Sequence, residues 1–531
     1  MNAPKTRIEI YDTTLRDGTQ AQGVSLSLQD KLLITQALDR LGVDVIEGGY
    51  PLSNPKDAAY FVEVRKLPLR HSRIAAFGMT RRKGFGAQDD EGMRSLLDSQ
   101  APIITIVGKS WDYHVHEVLR VSLEENLAMI HESIELMVRQ GREVVFDPEH
   151  FFDGYVANPD YAMQVLRRGL EAGAATLCLC DTNGGTLPDQ VAQAVREVRQ
   201  ALPRARLGIH CHNDGGVAVA NTLAAVRHGV THVQGTINGI GERCGNADLT
   251  SIIPNLVVKY DYDCLQGDGM RQLTEVSRFV YEVANLNLRE YQPFVGAAAF
   301  AHKGGMHAHA IARNTATYEH MDPELVGNSR RILVSELAGV SNIAAKVPSR
   351  FRIAEDKAAQ RKILQAMMDL ENQGYQFEAA EASFELLVRK TLGEAWYRPL
   401  WELDHYRCTI LRRDGGPAST EATLKLTIDG QVQHTVAEGD GPVDSLHKAL
   451  VSALGKHYPQ VRDLHLVDYK VRVVNTAAET AAKVRVVIDW HDEHGQAYFG
   501  SVGVSENIID ASWLALVDAI EYKLLTSLEK A

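Results

Sequence analysis

His210 and His212 stand two residues apart in "GIHCHND", with Cys211 between them. Side chains at i and i+2 of a β-strand share a face and sit about 6.6 Å apart along it. Two imidazoles so placed can share one metal ion at about 2.1 Å each. Cys211 would face the other way and is no third ligand. Two histidines hydrogen-bonded in a polar pocket would give the same short pattern, so its surroundings matter. "YDTTLRDGTQ" supplies Asp12, Arg16 and Asp17, and "VVFDPEHF" supplies Asp147 and Glu149. "CDTNGG" supplies Asp181 and Thr182, and "TINGIGERCGNAD" supplies Asn238, Glu242, Arg243 and Asn246. Each stretch follows a short apolar run. Acids, imidazoles, an arginine and amides brought to one place suit Lewis-acid chemistry with charged groups around it.

Such convergence needs a scaffold that collects strand ends. From Arg7 to about Tyr260, apolar β-branched runs alternate with amphipathic stretches having apolar residues at i, i+3, i+4 and i+7. The strand-like runs are "RIEIYD", "VDVIEGG", "RIAAFGM", "PIITIVG", "EVVFD", "ATLCLCD", "RLGIHCH" and "HVQGTIN". Ser27 and Ser122 open two of the helical stretches as N-cap residues. Eight βα units in about 250 residues predict an α/β fold of the (β/α)8 TIM-barrel type, with its active site at the C-terminal ends of the strands. A doubly wound open sheet needs no such even count, and no GxGxxG follows the first strand. Every polar stretch named above lies at a predicted strand's C-terminal end.

The remainder has a different grammar. Residues 261–392 read as helical linker subdomains interrupted by the Gly- and His-rich "AFAHKGGMHAHAIARNTATYEHMDPELVG". Residues 393–531 read as an α+β domain built from two βββα units in tandem. The catalytic barrel is therefore assigned to 1–260. The chain has 531 residues, ample for several domains, and a net charge of −12. That acidity argues against nucleic acid or an anionic membrane as partner. Six scattered cysteines fit no zinc or disulfide framework. No apolar run approaches the ~18 residues of a membrane span. Without a signal-peptide pattern at "MNAPKTRIEI", a cytoplasmic location is expected.

"YDTTLRDGTQ", "GIHCHND" and "GTINGIGERCGNA" resemble signatures of the 2-isopropylmalate synthase, homocitrate synthase and citramalate synthase family, among the DRE-TIM metallolyases. "EGGYPLSNPKDAAYF", "GKSWDYHVHEVLR", "VVFDPEHFFDGY" and "FAHKGGMHAHAI" look most like the citramalate synthase branch. Tyr50 stands where that pattern has tryptophan. The resemblance implies a Claisen-type condensation of acetyl-CoA with an α-keto acid, pyruvate for this branch, followed by thioester hydrolysis. It implies a divalent cation held by Asp17, His210 and His212, with Asn246 as a further metal-site residue. Mn2+ or Mg2+ is favoured, and Co2+ or Zn2+ also suits mixed N/O ligands. Arg16 would stabilise oxyanion character on the keto oxygen. Thr182 would contact the keto-acid carboxylate. Glu149 would be the base, with Asp147 as the alternative carboxylate. His307 and Tyr318 would be catalytic residues delivered from the linker, with His302 and His309 competing for the histidine's role. The resemblance further implies a homodimer, feedback by isoleucine at the C-terminal regulatory domain, and a place in isoleucine biosynthesis.

Three other readings use the same residues. A different keto acid, 2-oxoisovalerate or 2-oxoglutarate, would make the chain a 2-isopropylmalate or homocitrate synthase. A catalytically silent amino-acid sensor would need none of Arg16, Asp17, Glu149, His210 and His212, yet all are present. A metal-dependent aldol-type lyase would need no duplicated C-terminal domain.

Overall fold

The computed structural model describes residues 5–302, 307, 310–311, 313–332, 347, 349–351, 353, 355–414, 416–474, 482–493 and 497–529. Eight parallel strands close into a barrel in sequence order: β1 (Glu9–Asp12), β2 (Val45–Glu47), β3 (Arg73–Met79), β4 (Ile103–Lys109), β5 (Glu143–Glu149), β6 (Thr176–Asp181), β7 (Leu207–Cys211) and β8 (His232–Gly235). Pairing of β1 with β8 completes the ring. Helices at Leu28–Leu41, Pro55–Glu63, Glu91–Asp98, Leu123–Arg139, Pro159–Glu171, Pro188–Ala201, Ala218–Arg227 and Leu249–Pro254 follow the strands in turn. The expected (β/α)8 barrel is thus the fold. Ser27 and Ser122 cap the first and fourth of these helices, accepting from the backbone N–H groups of Asp30 and Glu125.

Inward-facing residues form layers. Tyr11, Val45, Ala75, Ile103, Val145 and Cys178 make the apolar middle layer. Polar layers lie above and below it. Cys211, of the opposite parity to His210, is buried in the core outside the strands, as its spacing predicts.

The chain divides into two compact units, Met1–Phe300 with Met321–Arg330, and Ala301–His320 with Arg331–Ala531. In the second unit, helices Lys357–Asn372 and Glu381–Leu392 share a core with Val502. Two three-stranded antiparallel sheets follow, 402–411 with 419–428 and 431–439, then 464–473 with 484–492 and 497–505. Helices Pro442–Leu454 and Ile508–Leu528 complete them, giving the βββα duplication. Alternation along Ser419–Ile428 places Ala422, Leu424, Leu426 and Ile428 in a core with Leu446, Leu450 and Trp490.

Candidate active site

β7 ends at Cys211, so His210 is its penultimate residue and His212 the first beyond it. Asp17 comes from the turn after β1. His210 Nε2 lies 3.3 Å and His212 Nε2 3.8 Å from Asp17 Oδ2. Among the described residues these three are the one set of metal-binding side chains whose ligand atoms lie within 4.8 Å of one another. All three are buried.

Two glycines let the loops close in. Gly184 (φ 63°) leaves room where a Cβ would meet Asp214 and the backbone of His212 at under 3 Å. Gly245 (φ 92°) would place a Cβ 2.0 Å from the carbonyl oxygen of Gly239. That close approach brings Asn246 into bridge pairing with His212.

Asp17 Oδ1, His212 Nδ1 and Asn246 Oδ1 are buried with no hydrogen-bond partner. Buried polar atoms are rarely left so. The Asp17 and Asn246 oxygens, with unspent lone pairs beside the Nε2 atoms of His210 and His212, fit a divalent cation. Burial and then the neighbouring His210 push His212 down to about 4, so its imidazole is neutral near pH 7. For Asp17, burial works upward, but Arg16 and then His210 outweigh it and hold the carboxyl well below the usual range. Burial opposes charge on His210, yet the bond to Asp17 raises its pKa. The same attraction would act on a cation.

The supporting groups were not legible in the motifs. Arg16 Nε donates to Glu47 Oε2 at 2.5 Å, and Nη1 lies 3.2 Å from Asp17 Oδ2. Its guanidinium stacks 4.0 Å over the Phe77 ring. Tyr50, the residue that departs from the branch pattern, packs edge-on against Phe77. Glu47, wholly buried at the end of β2, also accepts from Tyr11 Oη at 2.8 Å. Gln234 on β8 donates from Nε2 to Asp147 Oδ1 at 3.1 Å. Its amide oxygen therefore faces His210 Nδ1 at 3.0 Å. An acceptor there fixes the hydrogen on Nδ1, so Nε2, which bonds Asp17 when the ring is protonated, would in the neutral ring offer its lone pair to a cation shared with Asp17. The signal for Glu47, Phe77 and Gln234 is only inward parity on a barrel strand.

Other expected residues fall into place unevenly. Asp147 is buried beneath the mouth, its pKa pushed up to about 7 by burial and then by Glu47. Glu149, at the end of β5, has a quarter of its side chain exposed and pairs with Lys109. Thr182 Oγ1 accepts from the His150 backbone N–H at 2.8 Å, so its own proton is left to donate. Asp12, Asp181 and Asn238 correct the picture of acids and amides all turned to one centre. Asp12 binds Thr14, Asp181 binds Thr186 and Asn221, and Asn238 binds Ser277 and Gln292. They shape loops. Arg243 pairs with Asp214 and Glu242, and donates to the Thr182 carbonyl oxygen. In the second unit, His307 stacks on Tyr318 with centroids 4.0 Å apart. His302 is engaged with Glu319 at 3.1 Å. His309 lies outside the described residues.

The barrel and its donor set define the class of protein, a (β/α)8 barrel with a candidate divalent-metal site at its C-terminal end, and residues 7–280 match the HMGL-like family. Residues 294–374 match the homocitrate synthase post-HMGL domain-like family, and residues 378–524 the LeuA allosteric (dimerisation) domain. The (R)-citramalate synthase of Aquifex aeolicus is 48% identical over 99% of this chain and 99% of its own. That of Geobacter sulfurreducens is 50% identical over 98% of each. A 2-isopropylmalate synthase of Pyrococcus furiosus reaches 30% over 97% of this chain and 98% of its own. The chain belongs to the citramalate synthase branch of the DRE-TIM family. No helix among the described residues is long and apolar enough to cross a membrane.

Proposed function

We propose that this chain is a transferase that condenses acetyl-CoA with pyruvate to (R)-citramalate and CoA. The observation that carries the reading is the convergence of Asp17, His210 and His212 at one barrel end, with buried acceptors left unsatisfied around them. Near-full-length identity of about half to named (R)-citramalate synthases supports the choice of keto acid.

Asp17, His210 and His212 would hold the cation, with Asn246 beside them. Mn2+ or Mg2+ is the favoured ion, and Co2+ or Zn2+ suits the same donors. When bound, it supplies Lewis acidity toward the keto oxygen. Arg16, fixed by Glu47 and Phe77, places a guanidinium where oxyanion charge develops. Thr182 offers its hydroxyl proton to the keto-acid carboxylate. Glu149 takes a proton from the acetyl methyl group. His307 and Tyr318 remain catalytic candidates on the family resemblance. The LeuA-type domain supports allosteric control and a homodimer; isoleucine as the feedback inhibitor, with isoleucine biosynthesis as the setting, is our proposal from the family resemblance.

The test is CoA release, read with a thiol reagent, from acetyl-CoA and each of pyruvate, 2-oxoisovalerate and 2-oxoglutarate. Metal-stripped protein is compared with protein given Mn2+, with and without isoleucine. Metal-dependent preference for pyruvate is expected. A strong preference for 2-oxoisovalerate would overturn the substrate assignment.

A further inference from the structure

We propose that Lys109 is a further catalytic residue, which donates to the thioester oxygen of acetyl-CoA while Glu149 removes a methyl proton. The inference rests on the functional reading above and adds the electrophile that enolisation requires.

Lys109 and Glu149 are the last residues of β4 and β5 and are register partners on adjacent parallel strands. Both therefore face the same way, and their side chains form an ion pair. Their backbones are pinned. The Lys109 carbonyl accepts from Asn126 Nδ2 at 2.8 Å. The Glu149 carbonyl accepts from Ser110 Oγ at 2.7 Å and Ser110 N at 3.3 Å. Just beyond, His150 is held at φ 58° with its N–H on Thr182 Oγ1. The pair is thus preorganised at the mouth. The Glu149 side chain is 25% exposed and that of Lys109 13%, so a ligand can reach both.

Enolisation of a thioester moves charge between two nearby atoms. The methyl C–H bond breaks and its proton passes to a Glu149 carboxylate oxygen. The C–H electron pair becomes the C=C bond, and the carbonyl π pair moves onto the thioester oxygen. The leaving proton and the oxygen belong to neighbouring carbons, so base and donor must stand side by side. An ammonium–carboxylate pair has that spacing. A carboxylate alone would leave the enolate charge unmatched, and a fixed donor is worth most in a site shielded from water. Nothing but the substrate is consumed or supplied, because Lys109 Nζ only donates a hydrogen bond.

The test compares wild type, Lys109→Met and Lys109→Arg in the holoenzyme with Mn2+, using acetyl-CoA and its methyl-deuterated form. Lys109→Met is expected to lower kcat by about 10²–10³, with KM for pyruvate changed less than about threefold. The deuterium isotope effect on kcat should rise as enolisation becomes limiting, and Lys109→Arg should recover part of the loss. The isotope effect is a ratio within one protein, so partial misfolding leaves it intact. A Lys109→Met enzyme with wild-type kcat, or one whose isotope effect is unchanged, reduces Lys109 to a structural clamp. Wild type that releases no CoA with pyruvate overturns the functional reading itself; active wild type with an indifferent Lys109→Met overturns only this proposal.

Discussion

Both ends of the barrel carry charged side chains, half-buried to exposed around the buried His232 at one end and buried at the other, and they treat them differently. At the N-terminal end, Glu9 Oε2 bonds His232 Nδ1 at 2.6 Å and Arg206 Nη2 at 3.0 Å. Arg73 bridges Glu9 at 3.4 Å and Glu143 at 2.5 Å. The network closes on itself. At the C-terminal end, Asp17, His212 and Asn246 each keep a buried polar atom without a partner. A charge network that serves stability satisfies its members, because an unpaired buried polar atom costs about 1–3 kcal/mol. A site that must bind something leaves groups unpaired and bears that cost until the ligand arrives.

The strongest way to break this contrast is to remove what the open end is built for. Chelation is expected to abolish CoA release, with Mn2+ or Mg2+ restoring it. Added metal should also raise the melting temperature, by an amount equivalent to about 2.7 kcal/mol at a hundredfold excess over Kd. Asp17→Asn should cut kcat by about a thousandfold, in keeping with several kcal/mol of lost charge stabilisation, and should erase the metal-induced thermal shift. A variant that keeps both the rate and the shift would remove Asp17 from the site. Gln234→Leu takes away the acceptor that orders His210, and Mn2+ affinity measured by titration calorimetry should weaken about 10–100-fold. Unchanged affinity would make Gln234 simple core packing.

The closed end sharpens the comparison from the other side. Glu9→Gln should leave kcat within about twofold and the metal shift intact, while costing about 1–3 kcal/mol in denaturant unfolding. Glu9 is held down to about 2: burial opposes this, but the bond to His232 and the charges of His232 and Arg206 outweigh it. Such a depressed carboxyl adds stability on the order of 3 kcal/mol at most, fully present above about pH 4.5 and lost as pH falls toward 2. The gap between wild type and Glu9→Gln should close over that interval. A gap that persists at pH 2 would assign the cost to packing.

Much of the molecule is readable without coordinates. Alternation of β-branched runs with 3.6-period stretches marks eight units, and Ser27 and Ser122 mark helix starts because a hydroxyl there satisfies an orphan N–H. The i, i+2 spacing of His210 and His212 sets them on one face. The Asp12, Asp181 and Asn238 hydroxyl and amide partners show where the reading overreached. A polar residue at a strand end looks the same in sequence whether it faces a ligand or folds its own loop.

Sequence alone determined the period of each element, its caps, the duplicated C-terminal pattern and the residue types able to hold a cation. Those properties are local, set within a few residues of chain. Tertiary structure decided that Glu47, Phe77, Lys109 and Gln234 stand around Arg16, Glu149 and His210. These are single inward positions on strands far apart in the chain. Only closure of the sheet brings them together, and the strand register selects which of them touch.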